Sequence, residues 1–473
     1  MIARRLSRPL SLVLLTGTAL LGACSHAGDM AVPQPVTPQA AWTQPVDAAA
    51  AWPAADWWQG FNSPELLTLL GEARTANTDL AAAALRLRQA QLRQIQADAS
   101  LLPSVGGSAG ISRQESDRWG NGSGNDGTGS SSSGRTSASL GLSASYELDF
   151  WGRNRAGATS AAAATAISAL DRETVALTVT ADVANTYFQV LSLRDRRRSA
   201  EENLELAERV MSVVDSRYRN GAATALEVAQ QRNALVSQQA TIPALRQQEL
   251  DATLNLAVLL GRQPQDIAVA TDGLGGLGLP RTGTGVPADL LERRPDLKAA
   301  SLQLVAAGAD IVAARAALYP TTSISLSGNL SGGGLSSLVN APLATANLGL
   351  SLAQSLFDGG SRRAGVEIAE TRKLELVESY RASILTAFSD VETALGAARN
   401  AETQRRLQEE SVRLAREVFR LAETRYREGA VDLLTLLDAQ RSLLSAQDQL
   451  TQTRLAELQA AIALFRSLGG GWA

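Results

Sequence analysis

From Ala156 to Arg219 the chain runs for 64 residues with no proline and a single glycine. As continuous helix that stretch spans roughly 96 Å, far beyond the 10–14 residues, roughly, of a typical globular helix. Near its end Leu204, Ala207, Met211, Val214 and Tyr218 alternate three- and four-residue steps, the spacing of a coiled-coil seam. Gly221 then supplies the left-handed turn that stops a helix, and a return helix follows to about Leu260. Pro243 falls inside this return helix and predicts a kink, costing about 3 kcal/mol where no neighbour compensates. A long helix folded back on itself suits a rod or a tunnel wall better than a compact enzyme core.

The pattern occurs twice. Asp79-Leu80 and Leu102-Pro103 correspond to Asp296-Leu297 and Tyr319-Pro320 at a spacing of 217 residues, and Phe150, Gly152 and Arg155 to Phe357, Gly359 and Arg362 at 207. Arg217-Tyr218-Arg219-Asn220-Gly221 corresponds to Arg425-Tyr426-Arg427-Glu428-Gly429 at 208, and the second seam is Val412, Ala415, Phe419, Ala422 and Tyr426. Three blocks in one order imply an internal two-fold duplication. The ten-residue offset falls in the Gly/Ser-rich stretch from Gly120 to Gly134.

Ahead of each long helix the apolar period changes. Ala-rich helical segments cover about Pro64–Ser100 and Arg294–Leu318. From Ser137 to Phe150, Ala138, Leu140, Leu142, Ala144, Tyr146, Leu148 and Phe150 alternate with Ser137, Ser139, Gly141, Ser143, Ser145, Glu147 and Asp149, a strand with one apolar and one polar face. Val105, Ala109 and Ile111 alternate likewise, as do Ile324, Leu326 and Leu330, and Leu348, Leu350 and Leu352. Each repeat thus contributes a two-stranded hairpin. Membrane barrels need at least about eight strands, so a barrel reading demands closure by other subunits. The alternative is a soluble α+β layer with the apolar faces as core. Phe150, Trp151, Tyr319 and Phe357 at the strand ends favour a barrel with an interfacial aromatic girdle.

The N-terminus has Arg4, Arg5 and Arg8, an apolar run from Leu10 to Leu21, then Leu21-Gly22-Ala23-Cys24. This is a secretion signal whose end resembles a bacterial lipobox, with Cys24 S-diacylated, then N-acylated after cleavage. Ser25 in the next position favours the outer over the inner membrane. Pro- and Ala-rich sequence from Ala31 to Pro53 reads as an extended tether.

Together these residues resemble the TolC-type outer membrane factors, and among them the lipoprotein branch of resistance-nodulation-division (RND) multidrug efflux systems. The resemblance rests on Trp57-Trp58-Gln59-Gly60-Phe61 with Leu66 and Asn77, on Leu290-Leu291-Glu292-Arg293-Arg294-Pro295-Asp296-Leu297, on Phe357-Asp358-Gly359-Gly360, and on Gly429 followed by Leu434 to Arg441. It implies an α+β membrane protein: four β-strands per protomer completing a trimeric 12-stranded outer-membrane barrel, with long coiled-coil helices forming a periplasmic tunnel. The implied divisions are a signal peptide at 1–23, a lipid-anchored tether at 24–62, a first repeat at 63–262, a linker at 263–290 and a second repeat at 291–473.

The resemblance further implies a passive duct, loaded by an inner-membrane RND transporter and a periplasmic adaptor, that conducts drugs or other small molecules across the outer membrane. The same architecture serving type I protein secretion is the alternative; a lipid-anchored, non-conducting scaffold is a third reading. In the family, contacts between inner and outer hairpins close the periplasmic end. Tyr218, Tyr426, Asp432 and Asp438 are the candidate gate residues, although each Tyr equally fits seam packing and Asp438 a solvated helix face. Asn220, Gly221, Ala222, Glu428, Gly429 and Ala430 are the candidate adaptor-contact tips. Some members carry Arg two and Asp six residues after this Gly; Val431 and Thr435 stand here instead.

The remaining signals exclude more than they suggest. One histidine and one cysteine leave no set for zinc or for triad chemistry, and a formal charge of −3 without a basic block gives no sign of nucleic-acid binding. Gly273-Leu274-Gly275-Gly276-Leu277-Gly278 has no βαβ setting and reads as linker, and Gly332-Gly333-Gly334 as an external loop. No enzyme activity, cofactor or metal is expected.

Overall fold

The computed structural model describes residues 37–39, 41–43, 53, 56–116, 133–280 and 283–470. Helix α1 (Pro64–Ala76) starts at Ser63, whose side chain caps Leu66 N, and ends at Asn77. The Asn77 side chain in turn caps Asp79 N and Leu80 N to start α2 (Thr78–Ala99), so the first Ala-rich segment is two helices rather than one. After β1 (Ser104–Ser116) and β2 (Ser133–Leu148), α3 covers Arg153–Arg219 and α4 Ala225–Leu259. In the second half α5 (Pro295–Ala316), β3 (Thr321–Gly332) and β4 (Leu343–Ala353) precede α6 (Ser361–Arg427) and α7 (Leu433–Ser467).

Helices α3 and α6 are each 67 residues, about 100 Å long, and α4 and α7 are each 35. Both long helices stop at glycines with positive φ, Gly221 at +74° and Gly429 at +76°. In this region an L side chain costs about 1–2 kcal/mol, which is why glycine stands at both turns. A capping box between Thr224 and Glu227 starts α4, and Asp432, accepting from Thr435 N, starts α7. Pro243 does not end α4, which runs through it without a break.

The four strands form one antiparallel sheet in the order β1-β2-β3-β4. Pairing of β2 with β3, from Ala138 opposite Gly332 to Leu148 opposite Thr322, joins what the sequence offers as two separate hairpins. The shared register keeps apolar rows opposite apolar and polar opposite polar through the middle of all four strands. One row runs Val105, Ala144, Leu326, Leu348, and the neighbouring row runs Ser104, Ser145, Ser325, Gly349. Serine hydroxyls bond across the polar face, Ser104 to Ser145 and Ser112 to Ser137 at 2.8 Å and Ser323 to Ser351 at 2.6 Å.

The apolar face is not a core. Leu348 is 77% exposed, and Val105, Leu142, Leu350 and Leu352 are similarly open. This corrects the soluble-layer alternative, in which those leucines would be buried. At the helix-proximal end Trp151 stacks on Tyr319 with centroids 4.5 Å apart, its indole donates to Pro320 O, and Phe150 and Phe357 are exposed beside them.

The core lies among the helices instead. Trp57, Trp58 and Phe61, in a short 3-10 turn, pack on Phe465 of α7 and Phe188 of α3. Farther along the hairpins a second cluster joins Val210 and Val214 of α3 to Val412, Phe419 and Tyr426 of α6 and Leu433, Leu436 and Leu437 of α7.

Candidate functional site

Where the two helical hairpins turn, one arginine ties them together. The Arg217 guanidinium of α3 lies over the Tyr426 ring of α6, 4.6 Å from its centroid. Its Nη1 donates to the Tyr426 carbonyl, and its Nη2 donates to Ala222 O at 3.2 Å. One side chain therefore touches the turn of its own hairpin and the end of the other. Tyr426 is 1% exposed, while its counterpart Tyr218 is 47% exposed and has left the seam. Burial, with the Glu227 carboxylate nearby, raises the Tyr426 hydroxyl above its ordinary pKa; that oxygen and Arg217 Nε have no hydrogen-bond partner.

The other expected tip residues are local. Asn220 Nδ2 donates to Ser216 O at 2.8 Å, and Ala222 N and Ala430 N donate back to Arg217 O and Arg425 O at 2.8 Å, closing the two glycine turns. Glu428 caps α6 beside Gly429. Asp432 accepts from Thr435 Oγ1 at 2.6 Å and Thr435 N at 2.9 Å, which lowers its pKa. Asp438 is exposed and meets Arg441 Nη1 at 3.5 Å on its own helix. Thus Tyr426, Ala222 and, through Arg217, both turns come together, whereas Tyr218 and Asp438 make no hydrogen bond or ion pair across the hairpins among the described residues. Cys24 lies outside the described residues.

Halfway up each hairpin is a four-charge clasp that sequence reading missed. Arg197 bonds Glu249 at 2.9 Å and Glu201 at 3.1 Å, and Arg246 reaches Glu201 at 3.3 Å. In the second hairpin Arg405 bonds Glu457 at 2.8 Å and Glu409 at 3.0 Å, and Arg454 reaches Glu409 at 3.4 Å. Each member stands 208 residues after its counterpart. A neighbouring bond is conserved with donor and acceptor helices exchanged: Gln238 donates to Ala200 O, and Gln408 to Ala446 O. The clasps differ in one respect. Glu249 also takes Arg194 at 2.9 Å, but the position 208 later is Glu402, and Glu457 Oε1 is buried with no hydrogen-bond partner.

Arg194 also fixes the segment between the halves, donating to Val269 O at 2.8 Å and Thr271 O at 2.7 Å. Glu65 accepts from Ala270 N, Thr271 N, Thr271 Oγ1 and Tyr187 Oη. Burial alone would raise the Glu65 pKa; these bonds outweigh it and hold the carboxyl below its ordinary value. Asp195 accepts from Leu274 N at 2.8 Å, and a Cβ on Gly273 would strike the Asp195 carboxylate. Gly273 thus serves close approach to α3, while Gly278 lies against Gly60 O and Asn62.

Set beside known proteins, the chain matches the family model "Outer membrane efflux protein" over residues 69–262 and 286–470. The pyoverdine export outer membrane protein OpmQ of Pseudomonas putida is 44% identical, with 98% of each chain covered. The probable efflux pump outer membrane protein TtgC of the same species is 34% identical over 98% of this chain and 96% of its own. Among solved structures, the outer-membrane channel OprN superposes with a TM-score of 0.81 at 28% identity, covering 93% of this chain and 99% of that one.

Proposed function

The chain belongs to the outer membrane efflux protein family, and from that premise we propose that it is the outer-membrane channel of a tripartite efflux pump, working as a homotrimer. The observation that carries the reading is the sheet: four strands, an exposed apolar face, and β1 and β4 at its open edges. An open edge and a leucine-rich face are costly in water. Three copies, pairing β4 of one with β1 of the next, make a 12-stranded barrel with leucines toward lipid and serines toward the lumen. The paired long helices, duplicated from one ancestral unit, continue that lumen into the periplasm as a tunnel.

In this reading Cys24 carries the lipid anchor, residues 24–62 tether it to the body, and the repeats span 63–262 and 291–473 about the linker at 263–290. An inner-membrane RND transporter supplies the energy, and a periplasmic adaptor docks on Asn220-Gly221-Ala222 and Glu428-Gly429-Ala430. The gate is the hairpin end, held by Arg217 on Tyr426, with Tyr218, Asp432 and Asp438 facing neighbouring protomers. The chain acts as a conduit, not an enzyme. OpmQ and TtgC are named for export of pyoverdine and for an efflux pump, which favours small-molecule cargo over secreted protein. A siderophore of the pyoverdine kind is the first cargo to test.

The test is a deletion strain complemented with wild type or Cys24→Ser, with siderophore export, dye accumulation and protein content of the medium measured together. Retained dye or siderophore, restored by wild type, is the expected result. Unchanged small-molecule export with loss of a secreted protein would overturn the assignment in favour of secretion.

A further inference from the structure

The polar face of the sheet is almost free of charge. Along β1 it presents Ser104, Gly106, Ser108, Gly110, Ser112 and Gln114, and β3 and β4 add only Ser, Thr, Asn, Gly and two aliphatic residues at the ends of β4. Two charged residues share this face, both on β2. Glu147, at the helix-proximal end, is neutralised by Arg153 at 3.0 Å. Arg135, at the opposite end and opposite Gln114 in the register, is exposed and has no carboxylate partner among the described residues. Among the described residues the other charges near that end, Arg113 and Glu115, belong by alternation to the apolar face and pair with each other at 3.1 Å.

We infer that Arg135 is the charge-selecting residue of the barrel exit, favouring passage of anionic over cationic cargo past the outer mouth. The inference rests on the trimeric-channel reading, which repeats Arg135 three times around the lumen above a wall of hydroxyls. A hydroxyl-lined wall solvates either sign of charge, so the preference is set where the fixed charge stands. At physiological ionic strength its field decays over about 8 Å. The effect therefore reaches Ser137, about 7 Å along the strand, and not Ser145, about 33 Å away.

Single reporters, Ser137→Cys and Ser145→Cys, are introduced and treated from outside the cell with an anionic and a cationic methanethiosulfonate, against a parent carrying neither. Their labelling rates read the local potential whether or not the periplasmic gate is shut. At Ser137→Cys the anionic-to-cationic rate ratio is expected to fall several-fold with Arg135→Gln, to invert with Arg135→Glu and to be kept by Arg135→Lys. The Ser145→Cys ratio is expected to stay unchanged throughout, and the Ser137→Cys effect to shrink as salt is raised. A Ser137→Cys ratio indifferent to the charge at Arg135 overturns the inference while leaving the channel intact. Failure of both reporters to react, with Leu142→Cys on the opposite face reacting readily, instead overturns the lumen assignment and the channel reading with it.

Discussion

The Arg217 guanidinium sits over the Tyr426 ring at 4.6 Å and donates to the same residue's carbonyl, so the end of one hairpin is fastened to the end of the other through a single residue pair. A cation–π contact of this kind is worth about 0.5–2 kcal/mol. In the proposed trimer the contact recurs three times at the tunnel end. Arg217→Gln is expected to raise single-channel conductance and sensitivity to large antibiotics while trimer and localisation persist. Tyr426→Phe keeps the ring and the carbonyl that Arg217 engages and removes only the hydroxyl, so conductance and stability are expected to change less than in Arg217→Gln. Equal effects of the two substitutions would show that the hydroxyl, not the ring, carries the contact.

The paired clasps give a comparison within one chain. Arg405→Met strips the buried Glu457 of its counterion, and an orphaned charge of that sort costs about 3–5 kcal/mol. Arg197→Met leaves Glu249 with Arg194, and the loss is expected to be about 1–2 kcal/mol. Thermal unfolding of the purified protein is expected to show the larger drop for Arg405→Met; equal or reversed drops would contradict the assigned pairing.

Glu65 makes the clamp on the linker acid-sensitive. Its folded pKa lies below the ordinary 4.5, so the stabilisation is present above that value and is lost as pH falls through the folded pKa. After correction for intrinsic rates, amide exchange at Ala270 and Thr271 is expected to accelerate as pH drops below 4.5. In Glu65→Gln it is expected to be faster already at neutral pH, with the acid dependence flattened. Exchange in the wild type that ignores acid would remove Glu65 from this role.

The two faces of the sheet are expected to answer oppositely to charge. In the proposed barrel Leu326→Arg places a cation on the lipid side, costing about 2–4 kcal/mol near the bilayer midplane, and is expected to lower the amount of assembled protein in the outer membrane. Ser325→Arg, the adjacent residue on the polar face, is expected to assemble normally. Quantifying heat-modifiable trimer in membrane fractions distinguishes them, and similar losses for both would refute the face assignment.

Much of this architecture is legible in the sequence because it depends on period. Alternation marked the strands, the absence of proline marked the long helices, and Gly221 and Gly429 marked their ends. What period cannot give is pairing between elements. The β2–β3 register that unites the hairpins, from Ala138 to Leu148, is long-range and leaves no local signal. The tip shows the same limit. The seam spacing selects Tyr218 and Tyr426 alike, and α3 and α6 have the same length, so no local period separates the two ends; the helices packed beside them decide which residue turns inward. At the end of α3 the inward position has passed to Arg217, while at the end of α6 it still falls on Tyr426. The clasp was available in principle, since Arg197, Glu201, Arg246 and Glu249 recur 208 residues later. Recognising it required knowing which turns of α3 and α4 lie side by side.

Closure of the barrel by three copies is tested most directly by cross-linking its open edges. Cysteine pairs scanned along the polar faces of β1 and β4, such as Ser108→Cys with Asn347→Cys, are oxidised in isolated outer membranes. Ser143→Cys with Ser327→Cys, partners in the β2–β3 register, serves as the internal control. At a matching register the expected product is a covalent trimer that survives boiling in detergent and returns to monomer on reduction. Monomers with both β1 and β4 thiols free at every pairing, in membranes where the internal control pair has closed, would contradict a barrel made from three copies of this chain.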